Sequence, residues 1–386
     1  MPNMKSRLAI LAVLAVLTSL PTYVHSQQSI GDGRRSELRQ RALERLDTDG
    51  DGEIGTEERA AIRDRIGQRG DQQGRLNARE LRRSDAQENS SEARPGTTLV
   101  TFRHSPDGLD RSYLLHLPQG KDSYESSPVV IVMHPGLANG QWMEAETGFS
   151  ELADAEGFIA VYPNGTRQGQ TWPTQNTLLW DGAYTLRCTP PGIPDDEGFL
   201  VAIIDQLKSN YDIDAERVFM TGFSHGAQMT NTMAFRHPDL LAGIAPVSGG
   251  WLDAWADSTD AFSCMASSSE IEMESSLSTW IWRGSAEHMT NNPKTMPRAE
   301  QDQLQKQWFM EHNGVDTTPS IETETIEYAN RRGQLQDYTL TTEKYVDGSN
   351  GSVVYFTEVS SESHRWQPGA TGRIWAFFKQ LADQPL

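Results

Sequence analysis

One pentapeptide, Gly222–Gly226, constrains the fold of this chain more than any other stretch of its sequence. Its residues, Gly-Phe-Ser-His-Gly, follow a short apolar run rich in β-formers (217–221) and precede a helical stretch (227–237) that ends at Pro238. A strand, a G-x-S-x-G turn and a helix in this order leave the central serine exposed at the tip of a tight turn. Both glycines are needed because a Cβ there would collide with neighbouring backbone. The sequence predicts a nucleophile elbow with Ser224 at its tip; the alternative is an ordinary Gly/Ser loop.

Apolar runs rich in β-formers alternate with helical stretches from Leu99 onward. These runs are Val129–Met133, Phe158–Tyr162, Val218–Thr221, Ile244–Val247, Thr279–Trp282 and Val353–Val359. Apolar residues at helical spacing lie between two of them, in 199–207, and again near the end of the chain, in 371–382. Strands that alternate with helices indicate an α/β fold with a mainly parallel central sheet. With the elbow, this pattern predicts an α/β-hydrolase fold over residues 98–386.

The first 26 residues have the composition of a secretory signal peptide. Lys5 and Arg7 precede an apolar run, 8–20, and Val24-His25-Ser26 supplies small residues suited to cleavage. The run is too short for an ordinary membrane span. We therefore expect a secreted protein, extracellular or periplasmic, with no membrane insertion; the alternative is an uncleaved N-terminal anchor.

An acidic segment in residues 34–83 has the spacing of a calcium-binding EF-hand loop. The oxygen ligands of the twelve-residue pattern are Asp47, Asp49, Asp51, the Glu53 carbonyl and Glu58. Gly52 stands at the sharp turn and Ile54 at the apolar position of the same pattern. Four carboxylates this close would repel each other without a cation. We expect a small helical EF-hand-like module that binds Ca2+ in a structural or docking role; the alternative is a solvated acidic loop.

A second, degenerate copy of this loop ends at Glu80. Arg69 and Gln73 replace two of its carboxylates, so it is expected to pack without holding calcium well. The close spacing is similar to dockerin repeats and leaves open a docking partner for the module. Residues 84–97, which are polar and contain Pro and Gly, are expected to be a linker.

The net charge excludes some classes of binding partner, and the cysteine content bears on disulfide formation. The formal charge of −19 disfavours binding to nucleic acids and to anionic lipid surfaces. The two cysteines, Cys188 and Cys264, fall in loop-like regions, and an oxidising compartment favours a disulfide between them. The alternative is two unrelated small core residues.

A serine hydroxyl needs an imidazole to take its proton, and the imidazole needs a carboxylate to orient it. In α/β-hydrolases the order along the chain is Ser, acid, His. His364 follows the last predicted strand in a polar loop, where the base is expected. Glu287 is the first carboxylate after the strand 279–282 and is the expected acid, with Asp302 in reserve.

Two backbone N–H groups are expected to bind the oxyanion that forms on the substrate. The first is that of His225, directly after the nucleophile. The second comes from the loop after 129–133, where Pro135 has no N–H and the candidates are Gly136 and Leu137. An aromatic wall for the substrate is expected from Trp172, Trp180 and Trp366. Ordinary packing is the alternative for Trp172 and Trp180, whereas Trp366 lies two residues from the expected base.

Residues 98–382 resemble the extracellular esterase family of polyhydroxybutyrate depolymerases, feruloyl esterases and acetylxylan esterases. The resemblance is carried by Met133-His134, Gly157–Gly165, Asp195–Phe199, the elbow, Ala245–Gly249 and His364–Gly369. It implies an ester of a hydroxyacyl, aryl or acetyl group, often on a polymer.

Three positions depart from the pattern of that family. The family has His-Gly where this chain has His134-Pro135, and Asp where it has Glu287. The family pattern H-x-W-P-G is interrupted here by Gln367.

The leading hypothesis is a secreted serine carboxylic-ester hydrolase that works through an acyl-enzyme and needs no cofactor for catalysis. One alternative is a serine peptidase of related fold. Another is a non-catalytic hydrolase-fold binding module tethered by its calcium domain.

Overall fold

The computed structural model describes residues 95–119, 126–166, 180, 194–211, 213–252, 268–287, 296–330 and 333–382. The calcium-loop residues 47–58, the signal segment and both cysteines lie outside these ranges, as does Trp172. The expectations for them, including the Cys188–Cys264 disulfide and the boundaries before residue 95, therefore stay predictions.

The described residues form one sheet of ten strands with helices on both of its faces. In chain order the strands are β1 (Thr97–His104), β2 (Leu109–His116), β3 (Val129–Met133), β4 (Ile159–Pro163), β5 (Val218–Phe223), β6 (Gly243–Val247), β7 (Thr279–Gly284), β8 (Ser320–Ala329), β9 (Leu335–Tyr345) and β10 (Val354–Val359). The helices are α1 (Gly140–Thr147), α2 (Phe149–Glu156), α3 (Asp196–Tyr211), α4 (His225–Arg236), α5 (Arg298–Asn313) and α6 (Ala370–Ala382).

The strands lie in the order β1-β2-β4-β3-β5-β6-β7-β10-β9-β8. The six central strands, from β4 to β10, are mutually parallel, and β1, β2, β9 and β8 add antiparallel pairs at the two sides. This arrangement confirms the predicted α/β-hydrolase fold. The six predicted runs are the six parallel strands, and the four antiparallel strands were not predicted.

Two hydrophobic clusters fill the space between the sheet and the helices. On one face, α3, α4 and α5 cover alternate residues of the central strands, such as Ile131 and Met220. On the other face, α1, α2 and α6 cover the intervening residues, such as Val132 and Phe219. Strands buried on both faces are mostly apolar, which is why they could be recognised in the sequence.

The register of the parallel strands brings their carboxyl ends to one edge. Met133 of β3 pairs with Gly222 of β5, and Val359 of β10 pairs with Gly284 of β7. The chain leaves β3 toward β4 on one side and returns to β5 on the other side of β3. Loops that diverge at such a point open a crevice at the carboxyl edge, where α/β proteins place their sites.

Candidate active site

The turn between β5 and α4 has the geometry of a nucleophile elbow. Ser224 has φ 55° and ψ −113°, a backbone conformation that residues other than glycine rarely adopt. Its N–H donates to the Val247 carbonyl at 3.0 Å. A Cβ added to Gly222 would lie 2.5 Å from the carbonyl group of Gly226. A Cβ on Gly226 would lie 2.3 Å from the carbonyl oxygen of Met133. The close packing of the backbone therefore requires both glycines, as the sequence predicted.

His364 lies beside this serine, although 140 residues separate the two along the chain. The loop between β10 and α6 carries the imidazole, whose Nε2 is 2.8 Å from Ser224 Oγ. The Phe223 ring packs against the imidazole with the two centroids 4.9 Å apart. Hydroxyl and imidazole are thus at the distance that proton transfer between them requires.

Glu287 reaches the other nitrogen of the same imidazole. Its Oε2 is 3.4 Å from His364 Nδ1, and its carboxylate is fully buried. Asp302, the reserve candidate, instead pairs with Arg283 at 2.6 Å and with Arg298 at 3.2 Å. The structure therefore brings Ser224, His364 and Glu287 together in the order expected of a triad.

The Glu287 carboxylate is held in its ionised form. Burial by itself raises the pKa of this group, but the His364 hydrogen bond, the positive charges of Arg298 and Arg283, and the Ser248 hydroxyl together lower it below its ordinary value. An ionised carboxylate at this position fixes the imidazole tautomer with the proton on Nδ1 and leaves Nε2 to accept the serine proton.

His134 organises the loop that follows β3. Its side chain is buried, and its Nε2 accepts the Gly165 N–H at 3.0 Å, so the ring proton lies on Nδ1. That proton is donated to the Pro135 carbonyl at 2.8 Å. Burial lowers the pKa of His134 to about 3, which keeps the ring neutral. His134 thereby joins the loops after β3 and β4.

This loop carries the predicted second oxyanion donor. In a trans peptide the carbonyl and the following N–H point in opposite directions, so fixing the Pro135 carbonyl also fixes the direction of the Gly136 N–H. The other predicted donor, the His225 N–H, lies in the first turn of α4, where N–H groups have no partner within the helix. Both assignments stay predictions.

The two tryptophans expected to form a substrate wall are packed inside the protein. Trp180 is fully buried; its indole N–H donates to the His134 carbonyl at 2.8 Å, and its ring stacks on the His134 imidazole. Trp366 is 4% exposed and donates to Thr371 Oγ1 at 2.9 Å. The expected aromatic wall is therefore wrong for these two rings. Trp180 supports the loop after β3, as its packing alternative had it, and Trp366 supports the start of α6.

Three polar residues around the acid were not assigned a role from the sequence. Ser248 and Gln367 contact Glu287 Oε1, and Arg298 contacts Oε2. Ser248 and Gln367 both lie in segments that carry the family resemblance, but no spacing rule connects them to a carboxylate 39 and 80 residues away.

Within the described ranges, no group of three or more His, Cys, Asp or Glu residues is arranged to hold a metal ion. Nor does any helix in that part of the chain combine the length and apolar composition that crossing a membrane requires.

The fold and the site together define an α/β-hydrolase with a serine, a histidine and a glutamate in hydrogen-bonded sequence. Residues 111–273 match the family model described as Esterase PHB depolymerase.

Curated relatives share part of this chain. Poly(3-hydroxyalkanoate) depolymerase C of Paucimonas lemoignei is 28% identical over 64% of this chain and 60% of its own length. Acetylxylan esterase of Coprinopsis cinerea is 33% identical over 40% of this chain and 38% of its own length. The chain thus spans less than two thirds of either relative. Among solved structures, an acetyl xylan esterase from Aspergillus awamori has a TM-score of 0.48 and 20% identity, with 73% of this chain and 99% of that chain covered.

Proposed function

We propose that the protein is a serine carboxylic-ester hydrolase that works through an acyl-enzyme. The observation that carries this proposal is the chain of contacts from Ser224 Oγ to His364 Nε2, at 2.8 Å, and from His364 Nδ1 to the ionised Glu287, at 3.4 Å. The family match over 111–273 and the names of the esterase relatives support the same class of reaction.

In the acylation half of the reaction, Ser224 Oγ attacks the ester carbonyl carbon while its proton passes to His364 Nε2. The imidazolium that forms is stabilised by Glu287 through the Nδ1–H. The carbonyl oxygen becomes an oxyanion, which the N–H groups of His225 and Gly136 are expected to bind. When the tetrahedral intermediate collapses, the bond to the alkoxy oxygen breaks and Nε2 returns its proton to the leaving alcohol.

In the deacylation half, water takes the place of the alcohol. His364 Nε2 removes a proton from the water as its oxygen attacks the acyl carbon, and the same proton returns to Ser224 Oγ when the acid leaves. The cycle consumes one water and restores the enzyme, and the chain's own residues account for every proton that moves.

The substrate class we propose is a hydroxyacyl, feruloyl or acetyl ester derived from a polymer. Its support is the resemblance stated above and the names of two relatives, a poly(3-hydroxyalkanoate) depolymerase and an acetylxylan esterase. Initial rates on soluble hydroxybutyrate oligomers, methyl ferulate and acetylated xylan would rank the three acyl groups.

The experiment that tests the proposed reaction compares Ser224→Ala with the unchanged chain on p-nitrophenyl butyrate. Turnover is expected to fall to background, because no other hydroxyl lies at the tip of the elbow. A variant that kept most of the activity would end the proposal. A peptide p-nitroanilide, assayed in parallel, separates an esterase from a serine peptidase, and an inactive unchanged chain would favour a binding module.

We also propose secretion through the first 26 residues and Ca2+ binding by Asp47, Asp49, Asp51, Glu53 and Glu58. Calorimetric titration of the secreted chain with Ca2+ is expected to show one tight site that is lost in an Asp47→Ala/Glu58→Ala double variant. Ester turnover is expected to persist in a chelator, because these residues hold a structural ion outside residues 98–386. Loss of turnover in a chelator without unfolding would contradict this role.

A further inference from the structure

The Gln367 side chain occupies an unusual position between the acid and the base. It is buried in the loop that carries His364, three residues beyond that histidine. Four acceptors surround its Nε2: Ser248 Oγ at 2.9 Å, Glu287 Oε1 at 3.0 Å, the Arg365 carbonyl at 3.1 Å and the Ser363 carbonyl at 3.2 Å. Its Oε1, in contrast, has no hydrogen-bond partner among the described residues. All of its polar contacts there are made through the amide N–H groups.

These contacts link the acid to the backbone on both sides of the base. The carbonyls of Ser363 and Arg365 flank His364 in the chain, so one amide group is bonded both to the Glu287 carboxylate and to the peptide units that carry the imidazole. Movement of the carboxylate away from His364 would have to break this bridge.

Ser248 binds the same carboxylate oxygen, Glu287 Oε1, as Gln367 does. Its N–H donates to the Trp282 carbonyl at 2.9 Å, and its backbone has φ 54°, so the residue is fixed between the ends of β6 and β7. Its hydroxyl donates to Glu287 Oε1 at 2.5 Å. Because that proton goes to the carboxylate, the Ser248 oxygen accepts the hydrogen bond from Gln367.

The contacts of the other carboxylate oxygen, Oε2, show why Oε1 must be held in place. Glu287 Oε2 receives Arg298 Nη2 at 3.0 Å as well as His364 Nδ1 at 3.4 Å. The guanidinium is closer and carries a full positive charge, so it draws Oε2 away from the imidazole. Fixing Oε1 with Ser248, Gln367 and the Gly284 N–H at 2.8 Å restrains the rotation of the carboxylate that this attraction favours.

We propose that Gln367, acting together with Ser248, is a positioning residue that keeps the Glu287 carboxylate against His364. This inference rests on the proposed function, since it concerns the same triad. It also connects two of the departures from the family pattern. Glu287, which stands in place of an aspartate, and Gln367, which interrupts H-x-W-P-G, are in direct contact. A glutamate has one more rotatable bond than an aspartate and so more freedom to restrain.

Gln367→Met tests the proposal because methionine is similar in length and donates no hydrogen bond. We expect kcat for p-nitrophenyl butyrate to fall by about tenfold to a hundredfold, the scale of a charge-assisted hydrogen bond. KM is expected to change by less than about twofold, since the carboxylate stabilises the imidazolium that forms in the transition state rather than the bound ester. Gln334→Met, at an exposed position in the β8–β9 turn, is the matched control and should leave both constants unchanged.

A double-mutant cycle decides whether Gln367 acts through the acid. In a Glu287→Ala background, Gln367→Met is expected to change kcat by less than about twofold, because the group that it positions is gone. An equal loss in both backgrounds would overturn the proposal, and so would unchanged kcat in the single variant. Should Gln367→Met fail to fold in a thermal melt, the same cycle with Ser248→Ala decides the outcome. Activity remaining in Ser224→Ala would count against the proposed function, whereas an inactive Ser224→Ala with an additive cycle would count against the positioning role alone.

Discussion

The nucleophile and the acid of this site are held in place by different means, although one imidazole joins them. Ser224 is placed by backbone packing, because Gly222 leaves room for the carbonyl group of Gly226, and Gly226 lets the elbow approach the end of β3 to within contact distance. Glu287 is placed by side-chain and backbone hydrogen bonds that fix both of its carboxylate oxygens. Steric placement fails abruptly when a methyl group is added, whereas a network of hydrogen bonds loses its effect in steps.

The largest effect is expected from Gly226→Ala. The new Cβ would lie 2.3 Å from the Met133 carbonyl oxygen, so α4 or the end of β3 must shift. We expect a loss of about 2–4 kcal/mol in the free energy of unfolding and near-complete loss of turnover, measured by urea denaturation and by p-nitrophenyl butyrate hydrolysis.

Gly372→Ala is the matched control for that substitution. A Cβ at this position of α6 meets nothing within 4 Å, and alanine is favoured over glycine in a helix by roughly 0.5–1 kcal/mol. Its stability should be equal to or above that of the unchanged chain. Equal stability and equal turnover of the two variants would contradict the steric placement of Ser224.

A smaller effect on the fold, but a large one on turnover, is expected from Glu287→Ala. Loss of the carboxylate leaves the imidazolium without its partner, and kcat should fall by about 10²- to 10⁴-fold. Asp302→Ala is the control, because Asp302 contacts the same Arg298 without taking part in the Ser224–His364–Glu287 contacts. A loss below about tenfold is expected there. If both variants lost the same activity, the charge network as a whole, rather than contact with His364, would define the acid.

Acidification should weaken the fold through His134. Burial lowers the pKa of this side chain to about 3, while in the unfolded chain an imidazole takes up a proton below about pH 6.5. Between these values the unfolded state binds more protons, so the free energy of unfolding falls as the pH falls, by up to about 1.4 kcal/mol per pH unit.

Urea denaturation at pH 7, 6 and 5 measures this slope. His134→Gln keeps an acceptor for the Gly165 N–H and should have a shallower slope. A slope unchanged by the substitution would mean that other groups account for it.

The smallest effect is expected from Trp366→Phe. The ring is buried and its indole N–H is bonded to Thr371, so it offers little surface to a substrate. Stability should fall by about 1 kcal/mol through the lost hydrogen bond, with KM for p-nitrophenyl butyrate within about twofold. A tenfold rise in KM without loss of stability would restore the aromatic wall expected from the sequence.

The sequence predicted the parallel centre of the sheet but not its antiparallel sides. Val129–Met133 is buried on both faces and apolar throughout, and its five counterparts are buried along most or all of their length and rich in apolar residues. β8, in contrast, lies at the edge of the sheet and is exposed along most of its length, with glutamates among its residues. Such a strand has no apolar run by which it could be recognised.

The residues of the site also divide into those that could be predicted from the sequence and those that could not. Ser224 stands in a local motif, and His364 and Glu287 follow predicted strands whose ends meet at one edge, so position alone identified them. The roles of Ser248 and Gln367 depend on contacts between loops that no periodicity reveals. Trp180 and Trp366 were predicted wrongly for a related reason. A tryptophan in a predicted loop is expected to be exposed, but the two indole N–H groups donate to the His134 carbonyl and to Thr371 Oγ1 inside the protein.

The most direct test of the central claim is the rate at which a fluorophosphonate labels the protein, with the adduct located by peptide mass mapping. We expect a single adduct on Ser224 in the unchanged chain, and labelling slowed by at least about a hundredfold in His364→Ala. An adduct on any other residue, or a labelling rate that does not depend on His364, would contradict the account.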